Sequence, residues 1–207
     1  MSTRPVPLVL ASASPARLAT LRAAGVEPVV IVSGVDEDQL DDLAPAPLAE
    51  ALAVLKCEAV RNLPEVPEGA LVLGCDSVLE LDGAALGKPG TARVATERWR
   101  QLRGRSAVLH TGHALAHSTS GELVRATGST TVHFADVSDE EIDAYVATGE
   151  PLWVAGAFTL DGFAGAFISG IEGDPHNVIG VSLPLVRLMA ADLGVGWTDL
   201  WNRPTDA

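Results

Sequence analysis

The order of elements in the first thirty residues constrains the fold more than any other feature. Val6 to Ala11 is a short apolar run, readable as a buried strand. Ser12, Ala13, Ser14 and Pro15 follow at once. Ser14 suits a helix N-cap, and Pro15 suits the first helical position, where its missing N–H is not needed. Leu18, Leu21 and Arg22 carry the helix on, and Gly25 ends it. Val29 to Val32 reads as a second strand. Strand, tight turn, helix and strand predict a βαβ-like opening.

Further along, Pro47 to Arg61 is predicted as an amphipathic helix. Leu48, Leu52, Leu55 and Ala59 fall at helical spacing, which puts Lys56 at the edge of the apolar stripe. Leu71–Leu73 and Val78–Leu81 read as strands, with Asp82-Gly83 as a hairpin turn. Ala92–Leu102 reads as a helix. Val108–Ala116 and Leu123–Phe134 read as antiparallel strands about Ser120-Gly121. Ser138 opens a helix with Asp139, Glu140 and Glu141 in a solvated first turn. Glycines and short apolar runs alternate from Gly156 to Gly180, and Leu183–Leu193 closes as a helix. No repeat, low-complexity tract or clear linker divides the 207 residues, so one domain over 1–207 is expected, with room for two lobes around a cleft.

The charge balance narrows the function classes. Fourteen Lys and Arg against 27 Asp and Glu give a net charge of −13. A chain this acidic is a poor partner for a nucleic-acid polymer or an anionic membrane surface, yet a small anion needs only a local positive cluster. No apolar run approaches a membrane span, and the start is a poor secretory signal, so the cytoplasm is the expected compartment. Cys57 and Cys75 are expected as buried or half-buried thiols. Only two of the fourteen cations are lysines, Lys56 and Lys88. Where a surface merely needs charge this chain uses Arg, so the two lysines hint at sites that want a compact ammonium.

Three clusters carry candidate chemistry, each beside a plainer reading. Ser12, Ser14 and Arg17 surround a helix N-terminus, where free N–H groups and a guanidinium suit a phosphate; the same residues fit an ordinary capped helix. Asp76, in Gly74-Cys75-Asp76-Ser77, is expected at a strand end, as a Mg²⁺ ligand, a base for water or a turn residue. Lys88, in Gly87-Lys88-Pro89, offers a point charge. It is not a P-loop lysine, because Gly83 to Gly87 has three intervening residues and Pro follows the Lys. Positions 110 and 113 face opposite sides of a strand, so His110 and His113 make a poor zinc pair. Glu37, in the acidic run 36–42, is either solvated or joined with Asp76 around a cation. No GxSxG elbow or GxGxxG fingerprint is present.

Together these fragments resemble the Maf family of nucleotide pyrophosphatases. The family's LASxSPRR is similar to LASASPAR here, its GxEE to GVDED, its GADT to GCDS, its xKP to GKP, its TGxAL to TGHAL, its AGAYxIQG to AGAFTLDG and its NVVGLPL to NVIGVSLPL. ALAVLKCEAV resembles the family's helix with a single Lys. The resemblance runs from about Leu8 to Met189. It implies an α/β fold, a mixed twisted sheet with flanking helices and two lobes around a deep cleft, and often a homodimer. It implies hydrolysis of a nucleoside triphosphate to monophosphate and pyrophosphate with Mg²⁺ or Mn²⁺. Asp76 matches the family's proton acceptor, and Ser12, Ser14, Arg17, Glu37, Lys56 and Lys88 match groups around the triphosphate and metal.

Three positions differ between family branches, and here they are Ala16, Ser77 and Asp161. The branch acting on dTTP and UTP has Arg, Thr and Gln there. The branch acting on 7-methyl-GTP has a large aromatic, Ser and Glu. Ser77 matches the second branch, Asp161 is its acid one methylene shorter, and Ala16 matches neither. A guanine-type base is therefore expected. A nucleotide-binding regulator of cell division with little turnover is the competing expectation.

Overall fold

The structure is a computed structural model, and it describes residues 5–36 and 43–202. The predicted opening is present: β1 (Leu8–Leu10), α1 (Pro15–Ala23) and β2 (Val29–Val30), with the two strands parallel. Ser14 caps α1, its hydroxyl accepting from Arg17 N–H, and Pro15 takes the first turn. Strand β2 is shorter than the Val29–Val32 run, and both its residues are exposed.

Next come α2 (Pro45–Arg61), β3 (Leu71–Leu81), β4 (Ala84–Leu86) and α3 (Ala92–Leu102). Strands β5 (Ser106–His117) and β6 (Leu123–Phe134) form the expected hairpin, and α4 (Asp139–Ala147) follows with a full Ser138–Glu141 capping box. Its first turn is more than solvated, because Asp139 pairs with Arg100 and Arg103. Short 3-10 turns over 150–167 lead to β7 (Ile168–Glu172), α5 (Pro175–Ile179) and α6 (Leu183–Asp192). The seven strands described form one mixed sheet in the order β2-β1-β3-β5-β6-β7, with β4 also on β3.

Two expectations are corrected. First, Gly74 to Ser77 does not end a strand, since β3 runs unbroken from Leu71 to Leu81. Both its faces are covered, so Gly74, Asp76 and Ser77 sit inside a buried strand and break the simple alternation that marks a half-buried one. Second, the buried stripe of α2 is Pro45, Ala49, Leu52, Ala53, Lys56, Cys57 and Val60. Leu48 and Leu55 are half-buried and Ala59 is exposed, so Lys56 lies within the buried face. Small residues let α2 approach the sheet more closely than a leucine stripe would. A Cβ at Gly74 would lie 2.7 Å from Cys57 N, and one at Gly112 would lie 2.5 Å from Glu50 N. Glycine on two paired strands is what this helix–sheet spacing requires.

The register of β3 creates a gap. Its Leu71–Leu73 pairs with β1 and its Leu79–Leu81 pairs with β4, on the same edge. Gly74–Val78 therefore has no strand partner on that edge among the described residues. The other edge pairs with β5 throughout. Apolar clusters lie on either side of the notch. Leu8, Leu10, Leu21 and Val186 belong to one group. Trp99, Phe134, Ile142 and Tyr145 belong to another, knit by edge-to-face rings at 5.3 to 5.7 Å. The C-terminal segment packs on the body: Asp199 O accepts from Val6 N, and a Cβ on Gly25 would sit 3.5 Å from Trp201.

Candidate active site

Strand parity distributes the site over both faces of β3. Gly74 faces α2, so Asp76, two residues on, faces it too. One turn along α2 from Ala53 lies Lys56, and its Nζ donates to Asp76 Oδ1 at 2.5 Å. Both side chains are about nine-tenths buried. A buried pair of this kind is retained at a desolvation cost, so it is a poor stabiliser and a good marker of a site.

Ser77 faces the other way, toward α1 and α5. Arg17 Nη2 donates to Ser77 Oγ at 3.1 Å, Nη1 to Ser12 Oγ at 3.0 Å and Nε to Gly180 O at 2.7 Å. Thr111 is fully buried opposite Ser77, and its hydroxyl donates to Asn177 O at 2.8 Å. Its single proton is thereby used, so the 3.0 Å contact between the two hydroxyls has Ser77 donating to Thr111. Arg17 is thus held by a chain of bonds running back to α5. Ser12 Oγ accepts from Ser14 N and from Arg17, which leaves its own proton to donate. The N–H groups of Ala13 and Ala16 have no protein partner among the described residues.

Lys56, Asp76, Ser77, Arg17 and the α1 N-terminus line one cavity of about 470 Å³ at the notch, with Thr111 and Asn177 behind its wall. Of the residues singled out from sequence, Ser12, Ser14, Ala16, Arg17, Lys56, Asp76, Ser77, Lys88 and Asp161 line it. Glu37 lies outside the described residues, though Ser33, Gly34 and Val35 reach the cavity wall. Three cations, Arg17, Lys56 and Lys88, face two carboxylates, Asp76 and Asp161, in a chain of net charge −13. Both lysines of the chain are here. The cavity is a local positive cluster with hydroxyl and N–H donors, which suits a phosphorylated ligand.

The 150–163 segment supplies the remaining wall. Ala157 O accepts from the Trp99 indole at 2.7 Å, and Gly156 N donates to Gly87 O at 3.3 Å, which ties this segment to the Lys88 turn. Glu150 accepts from Tyr145 OH, Thr159 Oγ1 and Phe163 N. Burial alone would raise the Glu150 carboxyl, but these donors together hold it below its usual range.

The two histidines have separate partners. His110 bonds Glu80 and Ser129, whereas His113 Nε2 accepts from Ser182 N at 2.9 Å. Burial, then Arg17, pushes His113 down to about 4, so it is neutral. Burial raises both thiols, Cys57 and Cys75, to about 12, which makes poor nucleophiles. Sequence reasoning missed Thr111, Asn177 and Trp153. For Thr111 the signal was present in Thr111-Gly112, where a strand glycine marks a close backbone approach.

A family model described as Maf-like protein matches residues 7–193. A protein of Streptomyces coelicolor is 60% identical over 199 residues, covering 96% of each chain, and is named nucleoside triphosphate pyrophosphatase. One of Salinispora tropica with the same name is 56% identical over 203 residues, covering 97% of this chain and 90% of that one. Among solved structures, the Ham1 protein of Staphylococcus aureus aligns at 16% identity over 91% of this chain and 98% of that one, with a TM-score of 0.48. With its family model spanning all of β1 to α6, the chain belongs to the Maf family.

Proposed function

We propose that this protein is a nucleoside triphosphate pyrophosphatase, cleaving the α–β phosphoanhydride bond to give a monophosphate and pyrophosphate. The observation that carries this reading is the buried Lys56–Asp76 pair set beside the α1 N-terminus in a cationic cavity. The name shared by relatives of up to 60% identity supports it.

Ser12, Ser14, the first-turn N–H groups and Arg17 hold phosphate oxygens, and Lys88 neutralises charge on the chain. Lys56 occupies Asp76 Oδ1, which leaves Oδ2 to accept from a water and take its proton. The water oxygen bonds to the α-phosphorus, the bond to the bridging oxygen breaks, and pyrophosphate leaves with that oxygen. Positioning and charge stabilisation supply most of the rate.

The donors fit a hard divalent cation. No group of three or more His, Cys, Asp and Glu side chains forms a metal cage among the described residues, and Mg²⁺ often binds through one or two carboxylates plus substrate phosphates. Asp76 would hold Mg²⁺ or Mn²⁺, joined by Glu37 from outside the described residues, and the bound cation would neutralise phosphate charge.

Asp161 reads the base. A carboxylate accepts from guanine N1–H and N2–H, while thymine and uracil offer one donor. An acceptor left unpaired in the closed complex costs about 1–3 kcal/mol. The expected preference is for guanine-type nucleotides, including 7-methyl-GTP.

The test is pyrophosphate release from 7-methyl-GTP, GTP, dTTP, UTP and CTP with Mg²⁺ or Mn²⁺. Asp76→Asn should lower turnover by about 10²–10⁴. Near-normal turnover would remove Asp76 from its role, and a base ranking unchanged in Asp161→Gln would remove Asp161 from its own. Nucleotide binding with no pyrophosphate from any substrate would leave a binding regulator in place of the enzyme.

A further inference from the structure

Trp153 lines the cavity yet is 70% exposed, more than any other large apolar side chain described. Because Trp153 lines the cavity, its exposed indole is available to a ligand bound there, and pockets for small molecules are commonly walled by aromatic side chains. Its backbone is well fixed. Pro151 is buried, Leu152 O accepts from Gly90 N at 2.9 Å, and Glu150 is held by three donors. The same braced segment carries Asp161, so one scaffold brings an aromatic face and a hydrogen-bonding edge to the cavity. The phosphate-binding groups come from α1, α2 and the Lys88 turn. Ala16, with a single methyl, adds little bulk to that wall.

We propose that Trp153 is the stacking platform for the nucleotide base, acting with Asp161 as a specificity-determining pair. This rests on the reading of the substrate as a nucleoside triphosphate. Base–aromatic stacking uses the π-face that every base has, while the carboxylate reads the edge. An N7-methylated purine is cationic and gains a further cation–π attraction to the indole.

Trp153→Ala should raise KM for GTP by about 5- to 150-fold and leave kcat little changed. The rise should be larger for 7-methyl-GTP, and Trp153→Phe should recover most of the loss. Inhibition by inorganic pyrophosphate should be the same in wild type and Trp153→Ala, because it needs no base. Guanosine monophosphate should quench a fluorescence component present in wild type and absent in Trp153→Ala. Unchanged KM and unchanged quenching in Trp153→Ala would overturn the proposal. So would an equal loss of pyrophosphate inhibition, which would make Trp153 a residue that shapes the whole cavity. Quenching through Trp153 in a protein that hydrolyses no triphosphate would uphold the stacking site and refute the enzymatic reading instead.

Discussion

Gly112→Ala tests the link between helix–sheet spacing and the site. Gly112 does not have the positive φ that favours glycine, so its backbone accepts alanine. On unfolded-state entropy alone, the substitution would stabilise by about 0.4–1 kcal/mol. The structure reverses that sign. The new Cβ would lie 2.5 Å from Glu50 N and closer still to the Ala49 carbonyl, where ordinary contact begins at 3.4 Å. The shortfall of at least 0.9 Å is against helix backbone, which no rotamer change relieves. Overpacking of this kind costs about 1–3 kcal/mol, enough to exceed the entropic gain and lower Tm by about 2–12 °C. Gly112 also pairs with Asp76 in the register, and α2 carries Lys56. A retreat of α2 by about 1 Å strains the 2.5 Å ion pair, and misplacement on that scale costs on the order of 10² in rate. Thermal unfolding and pyrophosphate release would both be measured. Gly87→Ala, where a Cβ meets nothing within 4 Å, serves as the stability control. A Gly112→Ala protein with wild-type Tm and turnover would refute the claim that close packing of α2 sets the Lys56–Asp76 geometry.

Two further substitutions probe the support of the site. His113 is neutral when folded because its value lies near 4 against about 6.5 unfolded, so the unfolded chain binds the extra proton between them. Its contribution, on the order of 3 kcal/mol, is complete above pH 6.5 and lost as pH falls through 4. Urea midpoints measured from pH 7 to 4 should therefore fall more steeply in wild type than in His113→Gln; equal slopes would refute this. Thr111→Val keeps the shape but leaves the Ser77 proton without its acceptor and Asn177 O with Gly180 N alone, costing about 1–3 kcal/mol and loosening Arg17. KM for the triphosphate should rise and Thr111→Ser should restore it, whereas a Thr111→Val enzyme with normal KM would show that Arg17 needs no such brace.

The local elements were legible wherever one residue type has one mechanical use. Ser14-Pro15 starts a helix, Asp82-Gly83 turns a hairpin, and Ser138 with Glu141 closes a capping box. The charged and hydroxyl residues of the cavity were legible because the motifs around them are specific, and the scarcity of lysine pointed independently to Lys56 and Lys88. What composition and periodicity left hidden were the quantities set by register. Nothing local reveals that Leu73 is the last β3 residue paired with β1 and Leu79 the first paired with β4, because both facts belong to other strands.

That register turns a continuous strand into a site. Asp76 and Ser77 are adjacent in the chain, so strand parity sends them to opposite faces. A fully paired edge would separate them by a sheet, one buried under α2 and the other under α1. The five residues between the β1 and β4 pairings remove that partition on one side, so a ligand at the notch can meet both faces of β3. The glycines serve the same end. Gly74 and Gly112 bring α2 down so that Lys56 reaches Asp76, while the carbonyl of Gly180 draws Arg17 toward Ser77 from the far side. Continuing the β4 register would pair Gly87 with Val78 and Lys88 with Ser77, which would fill part of the gap and take Lys88 out of its turn. The function is therefore carried as much by where β3 lacks a neighbour as by the residues that line the gap.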